Sequence, residues 1–210
     1  MSSENEVLVP LREAAGEGGD LRDRVRSLVL RAIVDRKADP KAIREVMNAA
    51  VEGLGEGLGE HADTAGETLK TAVAGLDEAM GKSLYALQAA VEETWSYGRQ
   101  FADTDLREAY DAVRGLEDDL VGTLKEVGGK TGGVVRSEFA RLSEHLGRNG
   151  TDTGTQIKSV LSVLGRDLGE TASGAGREVK TDVREAAGRL SDVTSGILRG
   201  LADALESRKS

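Results

Sequence analysis

One apolar position recurs every eleven residues through most of the chain. Stepping from Met47 gives Leu58, Leu69, Met80, Val91, Ala102, Val113, Leu124, Val135, Leu146, Ile157, Leu168, Val179, Leu190 and Leu201, and none of the fifteen is polar. Two flanking columns keep the same step. One runs Ile43, Leu54, Ala65, Leu76 and Leu87, falters at Gly98 and Thr131, and returns as Leu142, Leu164, Ala175, Ala186 and Ile197. The other runs Val51, Ala62, Val73, Leu84, Trp95 and Leu106, breaks at Glu117, Gly128 and Gly150, and resumes as Leu161, Ala172 and Val183. Spacings of 4, 4 and 3 lay eleven residues on three helical turns. That is about 3.67 residues per turn, a period whose packed helices run straight or coil weakly right-handed. The stripe covers only about 65° of the helix, less than an ordinary core-facing face. Beside it stand Gly55, Gly66, Gly132, Ser143, Gly154, Gly165, Gly176 and Ala187, so its seams are thin and close.

The pattern predicts an all-α, elongated antiparallel bundle of long amphipathic helices with an eleven-residue (hendecad) repeat. Residues 1–19, with Gly16, Gly18 and Gly19, read as a disordered tail. Asp20 is suited to cap a short helix over 20–37 that lines up Leu21, Val25, Leu28 and Ala32. The bundle itself is expected over 38–206, followed by a tail at 207–210. Asp39-Pro40 joins a capping side chain to the residue favoured at the first helical position, and predicts a helix from 40 to 97 that stops at Gly98. Asp103-Thr104-Asp105 opens a helix over 104–127, Gly128 to Gly133 interrupts it, and further helices follow over 133–147 and 154–206, separated by the loop Arg148 to Gly154. Four glycines between Gly53 and Gly59 cost a helix about 4 kcal/mol relative to alanines, which marks a hinge or a breaker.

Composition narrows the function. Six aromatic residues in 210 deny the chain the large rings of a dense enzyme core, and without Cys there is no disulfide framework or thiolate metal site. The net charge is −9, and it sits in the middle: residues 38–132 hold 9 Lys+Arg against 19 Asp+Glu, residues 133–210 hold 12 against 11. Such a balance excludes a nucleic-acid partner and disfavours an anionic bilayer. No apolar run is long enough for a transmembrane segment, and the N-terminus lacks the basic region of a leader, so a cytoplasmic protein is expected.

Candidate chemistry is sparse. GGKTGG at Gly128 to Gly133 has a Lys-Thr pair but neither the spacing nor the preceding strand of a phosphate loop, and reads as a turn. His61 and His145 each follow a Glu but lack partners at ligand spacing, and adjacent acids such as Glu92-Glu93 and Asp118-Asp119 point to different sides of a helix. No catalytic residue, cofactor or metal is expected. The candidate interaction stripe is therefore the column itself: Met47, Leu58, Leu69, Met80, Val91, Val113, Leu124, Val135, Leu146, Ile157, Leu168, Val179, Leu190 and Leu201. Tyr85, Trp95, Tyr97, Phe101 and Tyr110 cluster around Gly98, either as the packing of a hairpin corner or as an anchor at an apolar boundary.

Four phrases, Leu21-Arg22-Asp23-Arg24-Val25-Arg26, Gly75-Leu76-Asp77-Glu78-Ala79, Leu116-Glu117-Asp118-Asp119-Leu120 and Gly150-Thr151-Asp152-Thr153-Gly154, resemble a group of uncharacterised bacterial all-helical proteins. The broader composition is similar to that of phasins and apolipoproteins. That resemblance implies a coat on a hydrophobic surface, a polyester granule or lipid body, with a location peripheral to granules or membranes; a non-enzymatic role and self-association of the stripes into a homo-oligomer are expected from the residues themselves. A soluble bundle acting as scaffold or filament subunit, and a stress protectant that folds on drying or adsorption, are the alternatives.

Overall fold

The computed structural model describes residues 5–16, 20–37, 39–59, 65–97, 101–172 and 189–207. Within these the chain is all-α: α1 (Asn5–Gly16), α2 (Leu21–Asp35), α3 (Pro40–Gly59), α4 (Ala65–Ser96), α5 (Asp103–Arg114), α6 (Leu116–Lys130), α7 (Gly133–Asn149), α8 (Asp152–Ala172) and α9 (Leu190–Ser207). Val179, His61, Gly98 and the flanking positions Ala62, Ala175, Val183 and Ala186 lie outside the described residues.

Side-chain pairings give the directions of the helices. Lys41 reaches Glu108 at 3.3 Å, Thr123 donates to Asn48 at 2.9 Å, and Gly55 faces Val127, so α3 runs parallel to the α5–α6 rod. Gly128 packs on Phe139 and Gly147 on Val121, which makes α6 and α7 an antiparallel hairpin. Gly66 faces Glu138, Asp77 meets Thr153, Gly81 meets Gln156 and Ser159 donates to Gln88. Thus α7 and α8 together run parallel to α4, and α3 and α4 run opposite to each other. In place of one helix from 40 to 97, the chain forms two that fold back. The rod expected over 104–127 is likewise divided, by a break at Gly115; of the rod expected over 154–206, α8 and α9 are described and residues 173–188 lie outside the described residues.

Asp39 does what its position before Pro40 predicts: its Oδ1 accepts the Lys41 N–H at 2.8 Å. At the Gly115 break the carbonyl of Ala112, left unpaired where α5 ends, accepts from Arg44 Nη2 at 3.1 Å, while Arg44 Nε lies 2.7 Å from Asp119 Oδ2. One arginine of α3 thereby closes the joint between α5 and α6.

Residues 5–16 form a helix where the pattern predicts a tail. A twelve-residue helix with Pro10 inside it is marginal alone. It stands because Val7, Leu11, Ala14 and Ala15 are buried against the rest of the core. The surface that receives it is the glycine run of α3. A Cβ at Gly53 would lie 2.5 Å from the Leu8 carbonyl oxygen, and one at Gly57 would strike the Arg12 carbonyl. The glycines read as a breaker are thus helical, with Gly53 and Gly57 admitting the α1 backbone and Gly55, on the other side, admitting Val127.

Candidate functional site

The column residues lie inside the molecule. Met47, Leu58, Leu69, Met80, Val91, Val113, Leu124, Val135, Ile157 and Leu190 are buried, and Leu146, Leu168 and Leu201 are partly buried against the same core. Ala102 alone among the described column positions is exposed. Around the column the interior mixes Leu, Val and Ile, such as Leu30, Ile43, Leu76, Leu87 and Leu120, with alanines that include Ala49, Ala50, Ala72, Ala79, Ala86, Ala90 and Ala109. Phe139 is the largest fully buried side chain.

The aromatic cluster does not form one site. Phe101 is buried and Trp95 and Tyr110 are half-buried, while Tyr85 and Tyr97 face solvent, Tyr97 at 73% exposure. Two of the rings meet α8: Arg166 stacks over Trp95 with its guanidinium 5.0 Å from the ring centroid, and Tyr110 lies against Gly165.

The four phrases quoted above converge. Helix α8 begins at the corner Gly150-Thr151-Asp152-Thr153-Gly154, where Gly150 holds φ at 76°, a conformation that favours glycine. The first amides of α8 have no partner within the helix. Asp77 of α4 supplies two, its Oδ2 accepting from Asp152 N and its Oδ1 from Thr153 N, both at 3.0 Å. Glu117 of α6 takes the Thr151 N–H at 3.1 Å and the Thr151 hydroxyl at 3.0 Å, and Thr151 Oγ1 in turn accepts from Gly154 N at 2.7 Å. The buried Thr153 hydroxyl donates to the Asp77 carbonyl at 3.2 Å. Two carboxylates also oppose the positive end of the α8 dipole. A Cβ at Gly154 would collide with the Glu117 carboxylate, so the clamp requires glycine there.

The fourth phrase joins from α2. Glu78, next to Asp77, pairs with Arg22 at 3.3 Å, Arg26 at 3.1 Å and Lys82 at 3.3 Å, and Arg26 also meets Asp23 at 2.8 Å. Gly75 lets the Arg22 backbone approach α4. Three helices and the α7–α8 corner therefore meet at one polar node inside an otherwise apolar seam. Three of its members are column positions that are not apolar: Glu117 and Gly150 interrupt one column, and Thr153 occupies the other. Each interruption carried a signal in the sequence; that the interruptions pair with one another is visible only in three dimensions.

Chemically the node is closed. Both Asp77 carboxylate oxygens accept from backbone amides, Glu117 Oε1 accepts from an amide and a hydroxyl, and Glu78 pairs with two arginines and a lysine; among the described residues no group of three or more His, Asp or Glu could hold a metal. His145 is exposed on α7, its ring 3.0 Å from the Asn149 amide. One open feature adjoins the node, a groove of about 900 Å³ between α4 and α7. Leu69, Val73, Leu142 and Leu146 floor it, and the exposed Val134 stands at its end. Among the described residues no helix is long and apolar enough to cross a membrane.

Comparison with known proteins gives one match, a family described as of unknown function (DUF6781), over residues 2–207. No curated protein and no solved structure matches the chain.

Proposed function

We propose, on the premise that the chain belongs to this family of unknown function, a non-enzymatic role: a helical bundle that keeps its eleven-residue apolar column closed in water and lays it on a neutral hydrophobic surface. The observation that carries this reading is a column of Leu, Val, Ile and Met placed inside the bundle in seams that include many alanines and glycines and, among the described residues, two buried aromatic rings, Phe101 and Phe139. Buried apolar area stabilises a seam at roughly 25 cal/mol per Å², so seams rich in alanine and glycine are held less firmly than ones packed with leucine and aromatic rings. A neutral lipid or polyester surface offers the column a competing burial site. The acidity of residues 38–132 favours such a surface over an anionic one.

The test is flotation of the full chain with triolein–phosphatidylcholine emulsion droplets and, separately, with anionic vesicles. Helicity follows from circular dichroism. The expected result is adsorption to the neutral droplets with helicity retained, and little to the anionic vesicles. A chain that stays in the aqueous phase with both overturns the reading.

A second reading, a cytoplasmic scaffold whose closed bundle self-associates, draws on the groove between α4 and α7 with Val134 at its end. Light scattering separates the two, since this reading expects a stable homo-oligomer in plain buffer and no adsorption.

A further inference from the structure

We propose that the polar node is a latch: when Asp77 and Glu117 release the start of α8, that helix swings off α4 about Gly150 and bares the column on both, while the α6–α7 hairpin stays closed. The inference rests on the surface-coating reading for its purpose but not for its geometry.

Three observations carry it. First, the α7–α8 corner is held from a distance. The amides of Thr151, Asp152 and Thr153 are satisfied by side chains 34 to 76 residues away, on α4 and α6. The local ties at this corner are Thr151 Oγ1 to Gly154 N and the Gly150 N–H to Leu146 O at 2.8 Å, and they hold α7 and α8 individually without fixing the angle between them. Gly150, already at positive φ, with a Cβ position that would meet Glu117 only at an ordinary 3.7 Å contact, is the residue able to absorb a change of that angle.

Second, among the described residues the polar contacts found between α8 and α4 beyond the node are Ser159 to Gln88 at 2.8 Å, on the surface, and the Arg166–Trp95 stack. The node therefore carries most of the described directional attachment of α8 to α4. Third, what lies behind α8 is the column. Ile157, Val160 and Leu164 are buried on α8. Leu84 and Val91 are buried on the same line of α4 as Gly81, Gln88 and Trp95, the positions that face α8. Release at one end converts two buried half-seams into one continuous apolar face. The hairpin of α6 and α7 is held separately by Phe139 against Gly128, so it does not depend on the clamp.

Hydrogen–deuterium exchange on the full chain tests the latch. Asp77→Asn removes the charge and leaves one acceptor for two amides. With hydrogen bonds to a charged group worth about 1.5–3 kcal/mol, amides of α8 and of the facing half of α4 should exchange about ten- to a hundredfold faster, while α3, α6 and α7 keep their rates. Because the chain has no native Cys, the pair Gly81→Cys/Gln156→Cys provides a clean lock. A Cβ at Gly81 would sit 3.9 Å from Gln156 Cγ. Oxidising that pair should abolish the acceleration, and reducing it should restore it.

Acceleration spread evenly over all helices, or confined to the first turn of α8, or indifferent to the lock, overturns the latch. Should the Asn variant not fold, Glu117→Gln and the oxidised lock in the otherwise wild-type chain read the same regions. The emulsion separates the two claims. Exchange as expected with adsorption unchanged by the lock overturns the coating role and leaves the latch. Adsorption with no selective exchange overturns the latch alone.

Discussion

Replacing Gly53 by Ala sets helix propensity against packing, and the structure says which wins. In an exposed helix interior the change gains about 1 kcal/mol. Gly122, in the middle of α6, offers that case, since a Cβ there meets nothing within 4 Å. At Gly53 the same methyl would lie 2.5 Å from the Leu8 carbonyl oxygen and 3.1 Å from the Leu8 Cα. Carbon–oxygen contacts relax to about 3.3 Å, so α1 must withdraw by most of an ångström. It withdraws as a rigid rod, loosening Val7, Leu11, Ala14 and Ala15 together. Overpacking of this kind costs about 1–3 kcal/mol. Set against the propensity gain, Gly53→Ala should be neutral to about 2 kcal/mol destabilising. Gly122→Ala should stabilise by about 1 kcal/mol. At about 2–4 °C per kcal/mol for a chain of this size, thermal melts by circular dichroism resolve the difference. The ranking expected is Gly122→Ala above wild type, and wild type at or above Gly53→Ala, with Gly57→Ala following Gly53→Ala. Equal stabilisation at both sites would refute the close approach of α1 to α3.

Two further outcomes follow from packing and charge. Phe139→Ala, which empties the largest fully buried position and frees Gly128 from its neighbour, should cost about 3–5 kcal/mol in urea denaturation; a loss below about 1 kcal/mol would mean the α6–α7 seam does not rest on this ring. The Glu126–Lys130 pair on exposed α6 holds the Glu126 carboxyl below its ordinary 4.5 and the Lys130 ammonium above its ordinary 10.5, in both cases chiefly through their mutual hydrogen bond. A lowered carboxyl contributes stability above its unfolded pKa and loses it as pH falls through the folded one, and a raised amine contributes below its unfolded pKa and loses it as pH rises through the folded one. The pair thus contributes between those limits, and Lys130→Ala should return Glu126 upward toward 4.5 in an NMR titration with no measurable change in Tm at neutral pH; an unmoved Glu126 would show that the pair is not formed.

The eleven-residue step points to the core because a helix that repeats its apolar face on one line can bury that line against any neighbour of the same kind. Asp39-Pro40 and the breaks at Thr131-Gly132 and Gly150-Thr151 are legible for local reasons, although helix continues through Gly128 to Lys130 and through Arg148-Asn149, so the breaks are narrower than the loops expected over 128–133 and 148–154. Helix α1 is not legible. Its own propensity, with Pro10 inside, argues against it, and its stability resides in a surface that Gly53 and Gly57 provide some 45 residues later. The same holds at Gly115, where the reason the chain can break is Arg44 of α3. Tyr85 and Tyr97 look like part of a corner because they are close in sequence, yet a helix turns them away from Phe101 and into solvent. The node was present as apparent defects in the columns at Glu117 and Gly150, and became a site only when Asp77 was placed beside them.

The pairing of α1 with α3 and of α2 with α4 also sets a timetable for synthesis. Arg26 finds Glu78 only 52 residues later, and at about 5–20 residues per second that is a wait of roughly 3–10 s. Until Gly53 and Gly57 are made, Val7 and Leu11 lack the α3 surface that receives α1, and through the whole interval Val25, Val29 and Ile33 on α2 lack the α4 seam. The corner that starts α8 is in the opposite position, for both of its carboxylates have already been synthesised when Thr151 is made. Unpartnered apolar helix is therefore concentrated between the synthesis of α2 and that of α4, whereas α8 is made after the groups that receive its first turn.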